Sequence, residues 1–205
     1  GPSTGILLPM LIMGDVMAVG YYRRQAVWAL VLKPLSWAAV GIIAAFLAIR
    51  FFEPSDTAIK RAIAILVLII LALGAWLRRS KGDLRVPSSW WFAALVGVFG
   101  GFTTMIANAA GPVWIIYLLA LGLNKGEFLG TNAWIFLILN VFKVPFSMGL
   151  GFMTVESLAF NCKMFPLVFA GAVVGVLTAK YMPQRMFELL AWIFATAGSV
   201  KLLFF

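Results

Sequence analysis

The sequence predicts an all-α, polytopic helical membrane protein with two structural repeats, each containing a broken or half-length helix, read as inverted with a parallel arrangement as the alternative. Three observations carry that expectation. Of 205 residues, 63% are apolar and only 11% charged, where a soluble domain runs near one half and one quarter. The apolar residues gather in runs long enough to cross a bilayer, about 20 residues each, without the alternation of a β-barrel strand. Interrupted segments also recur at corresponding places in the two halves.

Composition removes several function classes. Histidine is absent, which excludes His-based acid/base chemistry, Ser-His-Asp triads and histidine-ligated metals. A single cysteine, Cys162, forms neither an internal disulfide nor a zinc or iron–sulfur cage. The net charge of +9 sits mostly in short segments between apolar runs. That distribution fits the positive-inside rule and argues against nucleic acid as a partner. No enzyme, cofactor or metal is expected.

Taken in order, residues 5–20 form a short element interrupted by Pro9, Gly14 and Asp15. Residues 29–50, 58–77, 127–149, 160–181 and 184–204 read as spans. Residues 89–122 are too long for one straight helix: a helix over 90–106, a break at Asn108–Gly111, and a short helix over 112–122 are expected. At 1.5 Å per residue the short piece covers about half a membrane. The chain opens without Met or signal peptide, and its first three residues read either as a cleavage scar or as a loop after a further helix. Segment 78–87 and the Arg23–Arg24 pair are basic and two spans apart, which puts both on the cytoplasmic face.

The halves correspond in outline. KPLSW at 33–37 and FPLVF at 165–169 each open an apolar helix that ends before Pro54 or Pro183, with another helix following. Gly5 precedes Trp28 by the same spacing as Gly111 precedes Trp134. The expected division is therefore a first repeat at 1–80, incomplete at its N-terminus if a further helix precedes it, a basic cytoplasmic loop at 81–88, and a second repeat at 89–205. Lys180 and Arg185 lean the 181–184 loop inward, which favours inversion.

Paired broken helices mark a transporter's substrate site. Asn108 suits a helix N-cap, and Pro112 after Gly111 suits the first helical turn. The unpaired N–H groups behind them favour an anion at the membrane middle. Ser3, Thr4 and Gly5 offer the same arrangement in the first half. Thr131, Asn132, Asn140 and Lys143 interrupt an otherwise apolar span, and 132, 136, 140 and 143 share one helix face. Lysine is costly in lipid and usually faces a cavity or partner; snorkelling is the alternative. Thr103 and Thr104 are expected to satisfy helix carbonyls. Asp15 and Glu127 are candidates for ion coupling, with a solvated loop carboxylate as the alternative. Gly171 and Gly175 form a GxxxG read as close internal helix packing.

GPVWIIY at 111–117, GLNKGEFLGTNA at 122–133 and NVFKVP at 140–145 resemble the sulfite exporter TauE/SafE family, also called toluene-sulfonate uptake permeases. The match is concentrated between about 97 and 150; GILLP at 5–9 and YRR at 22–24 carry it in the first half. Members usually have a further helix or half-helix before the first Gly-rich motif, and more glycines there than Ser3-Thr4-Gly5 supplies. The resemblance implies a secondary transporter of sulfite, sulfonates, sulfoacetate or similar small anions, multi-pass in a bacterial inner membrane. Its partners would be that anion and the lipid bilayer. A passive anion channel and a non-transporting membrane scaffold are the alternatives. A channel needs a continuous polar lining, and a scaffold needs no buried lysine.

Overall fold

In the computed structural model, residues 2–52, 90–108 and 110–204 are described, apart from the side chains of 2–4, 52, 192, 195, 196 and 198–204. The expected span at 58–77, the basic segment 78–87 and the loop 81–88 lie outside them. Among the described residues there are seven α-helices and no strand. They are α1 (Pro2–Tyr22), α2 (Trp28–Phe52), α3 (Trp90–Ala107), α4 (Gly111–Ala120), α5 (Lys125–Gly149), α6 (Val155–Tyr181) and α7 (Gln184–Phe204). A 3-10 turn at Arg23–Gln25 joins α1 to α2. Five helices, α1, α2, α3, α5 and α6, are long and apolar enough to cross a membrane.

Two expectations about helix ends are corrected. Residues 5–20 are not a broken element, because α1 runs uninterrupted through Pro9, Gly14 and Asp15. Nor do Pro34 and Pro166 open their helices; both lie inside, in α2 and α6. An interior proline removes one N–H and frees one carbonyl, and within a membrane bundle neighbouring groups re-satisfy it. Proline is thus a weaker stop signal here than in water.

Chain direction follows from which residues meet. A Cβ on Gly97 would overlap the Pro34 carbonyl and Trp37, one on Gly101 the Ala38 carbonyl, and one on Gly41 the Val98 carbonyl. The order makes α2 and α3 parallel, so their starts share the face of the Arg23–Gln25 turn. The Trp28 and Trp134 rings lie 4.9 Å apart and the Phe46 and Phe146 rings 5.3 Å apart, making α5 parallel to α2 as well. Helix α1 runs the opposite way along α5, with Tyr22 and Gln25 against Gly130 and Gly5 against Phe152.

Just past the end of α5, Gly151 takes a φ of 68° that reverses the chain while the Phe152 N–H closes on the Ser147 carbonyl at 3.0 Å. Helix α6 then returns beside α1, and Val168 and Ala172 line one cavity with Gly14 and Ala18. The two helices carrying Pro34 and Pro166 therefore run in opposite directions. The expected close packing at Gly171 and Gly175 is not found among the described residues, where a Cβ on either would meet nothing within 4 Å. Tight glycine packing is found instead along the α2–α3 seam, and at Gly5 and Gly130 at the two ends of the α1–α5 pair.

Candidate functional site

Helix α3 ends because Asn108 takes φ 51°, a left-handed conformation that asparagine tolerates better than most side chains. Its N–H still reaches the Thr104 carbonyl at 3.1 Å. Asn108 was expected to cap the next helix and instead terminates the previous one. The N-cap of α4 is Ala110, which makes no side-chain cap, and Pro112 occupies the first turn as expected. Among the described residues, a Cβ on Gly111 would meet nothing within 4 Å. Helix α4 folds back on α3: the Trp114 ring covers Gly100, and Tyr117 lies 6.0 Å from Phe92. The segment enters and returns on itself.

Lys143 meets this break. Only 1% of its surface is exposed. Its ammonium donates to Asn108 Oδ1 at 2.7 Å, Thr104 Oγ1 at 2.9 Å and the Thr104 carbonyl at 3.2 Å. A lysine has three donors, and here three oxygens from the end of α3 receive them. Thr103 behaves as expected, bonding the Phe99 and Gly100 carbonyls at 2.8 and 3.2 Å.

One turn earlier on α5, the buried Asn140 donates through Nδ2 to Asp15 Oδ2 at 2.6 Å. Its Oδ1 is buried with no hydrogen-bond partner among the described residues. Asp15 is a mid-helix residue rather than a loop carboxylate, close enough for its charge to act on Lys143. The fold thus gathers Asp15, Asn140, Lys143, Asn108 and the start of α4.

Other candidates sit elsewhere. Thr131 is buried and accepts the Val27 N–H at 3.0 Å. Glu127 belongs to the α5 capping box: its carboxylate accepts the Asn124 N–H at 3.2 Å, and Asn124 Oδ1 accepts the Glu127 N–H at 3.0 Å. Asn132 keeps a buried Oδ1 without a partner among the described residues. Gly5 lies against Phe152 beyond the end of α5, so the start of α1 is not brought to Lys143. Ser3 and Thr4 belong to that first turn.

The break also lies past the midpoint of α2. The 18 residues of α3 rise about 27 Å, and the register of Gly101 on Ala38 sets Asn108 beyond the midpoint of α2.

The family model described as Sulfite exporter TauE/SafE matches residues 3–202, nearly the whole chain. The chain belongs to the TauE/SafE family. No curated protein and no solved structure matches it. As a TauE/SafE protein it is an integral, multi-pass membrane transporter. The motif residues quoted for the family now have places: GPVWIIY lies within α4, and Asn140 to Pro145 is the stretch of α5 that carries the buried lysine. Sequence reasoning missed Thr104 as a lysine partner. Its only signal was its place one turn before Asn108.

Proposed function

We propose that this TauE/SafE protein is a secondary transporter of sulfite and related small sulfur-containing or organic anions. The anion binds where α4 begins, between its uncapped backbone N–H groups and the Lys143 ammonium, with Asn108 and Asn140 at the rim. The observation that carries this reading is the fully buried Lys143, held by oxygens at a helix break. A membrane protein has little reason to retain such a charge away from a substrate path.

The chemistry is exchange of acceptors. Lys143 is dehydrated in advance, its hydration replaced by Thr104 and Asn108. An oxyanion entering beside Gly111 substitutes its own oxygen for the neutral Asn108 Oδ1. It gains a charge-assisted bond and the positive end of the α4 dipole. At an effective dielectric near 20, a charge pair about 4 Å apart is worth about 4 kcal/mol. Removing Lys143 should then weaken affinity by about two to three orders of magnitude.

The energy source is a gradient, since no P-loop is present in the sequence. Opposed directions of α2 and α6 suit a mechanism in which one repeat moves against the other. The test is flux of radiolabelled sulfite and sulfoacetate into proteoliposomes, for the wild type and Lys143→Met. Loss of flux in a variant that purifies as a monodisperse protein is expected. Undiminished flux in Lys143→Met would remove this site from the path.

A further inference from the structure

We propose that Asp15 and Asn140 form a proton-binding switch that admits one proton with each anion. The inference rests on the anion site at Lys143 and adds to it the identity of the coupling ion and the group that carries it. Its starting point is an imbalance. Asn140 spends its Nδ2 on Asp15, at 2.6 Å, and leaves Oδ1 buried with no partner among the described residues. A buried amide oxygen left unmatched is unfavourable, and a terminal amide can turn about its last bond at little cost.

Protonation of Asp15 resolves the imbalance. The carboxylate takes one proton and becomes a carboxylic acid with a single O–H donor. That donor needs an acceptor, and turning the Asn140 amide supplies Oδ1 to it. Nδ2 then occupies the position that Oδ1 holds now. The rim one helical turn from Lys143 changes from presenting a lone pair to presenting an N–H. A lone pair repels an oxyanion; an N–H binds it.

Charge runs the same way. With Asp15 ionised, the Asp15 and Lys143 charges cancel; with Asp15 protonated, one positive charge remains for a univalent anion to neutralise. Proton and anion therefore favour one another, and each leaves more readily after the other. No bond other than the O–H forms or breaks.

Among the described residues the surroundings supply no rival charge. From α5, Lys143 faces Asp15. The titratable groups of α6, Glu156, Cys162, Lys163, Lys180 and Tyr181, are all exposed. Arg23 and Arg24 are exposed in the turn beyond the end of α1.

Two measurements on purified full-length protein test the switch. The first is substrate-independent: the infrared carbonyl stretch of a protonated carboxylic acid, followed through a pH titration in wild type, Asp15→Asn and Asn140→Ala. A band absent in Asp15→Asn and shifted in frequency in Asn140→Ala is expected. A band pattern identical in wild type and Asp15→Asn would overturn the proposal.

The second uses sulfite and methanesulfonate in proteoliposomes holding a pH-sensitive dye. Asp15→Asn, fixed in the neutral state, should lose proton movement with the anion, and its labelled-anion exchange should no longer vary with pH. Proton movement undiminished in Asp15→Asn would overturn the proposal. So would loss of exchange in a variant as thermally stable as the wild type, because Asp15 would then serve anion binding itself. If the wild type moves neither anion, the transport reading fails while the infrared result still decides the switch.

Discussion

Two seams of this protein are built on opposite principles. Between α2 and α3 the contact is glycine on backbone: Gly41, Gly97 and Gly101 let the chains approach until no side chain could be inserted. Between α1, α5 and the end of α3 the contact is polar, with Asp15, Asn140, Lys143, Thr104 and Asn108 joined by hydrogen bonds of 2.6 to 3.2 Å. Small residues give helices in lipid close van der Waals packing, which permits one arrangement. Hydrogen bonds can exchange partners, which permits at least two. The first seam has the character of a frame and the second of a working part.

Each seam can be broken separately, and the sizes of the effects should differ. The largest is expected at Gly101→Leu, where the new side chain meets the Ala38 carbonyl, backbone that cannot yield. Overpacking in a closely fitted core usually costs about 1–3 kcal/mol or more; here we expect little monodisperse protein after detergent extraction. Next is Asn108→Gly, which keeps the left-handed backbone at the break and removes the oxygen that competes for Lys143. Equilibrium binding of labelled sulfite should tighten by about tenfold, the worth of one charge-assisted bond of about 1.5 kcal/mol. Weaker binding would mean that the Asn108 side chain helps hold the anion rather than giving way to it.

Smaller effects belong to the other end of α5. Thr131→Val removes the acceptor of the Val27 N–H and should lower thermal stability by about 1 kcal/mol, with transport per folded molecule unchanged. Glu127→Gln leaves an oxygen able to accept the Asn124 N–H. A few tenths of a kcal/mol at most is expected, read as a shift in melting temperature near the limit of measurement. A large transport defect in either variant would extend the site along α5 and erase the contrast between its ends.

Much of this was legible in the sequence. The break between α3 and α4, the length of α4 and the helix of residues 127–149 follow from apolar run length and from Asn, Gly and Pro at one point. Lys143 was legible because a charge inside an apolar run is expensive wherever it points. What stayed hidden were relationships across the fold. Asn108 ends α3 rather than opening α4, a choice made by its backbone angle and by the ammonium waiting for its side chain. Asp15 looked like a loop residue because Pro9 and Gly14 suggested a broken helix, whereas α1 continues and delivers it to Asn140. Thr131 and Asn140 read alike on one span, yet one closes on a backbone N–H and the other on a carboxylate. Composition cannot tell those partners apart.

The most direct measurement is an experimental structure of the protein with bound selenite, whose selenium marks a sulfite-like oxyanion by anomalous scattering. We expect the peak at the start of α4, beside Gly111 and within hydrogen-bond reach of Lys143, and we expect it to vanish in Lys143→Met. A peak confined to surface lysines and arginines, or one at α4 that persists without Lys143, would contradict the assignment of this break as the anion site.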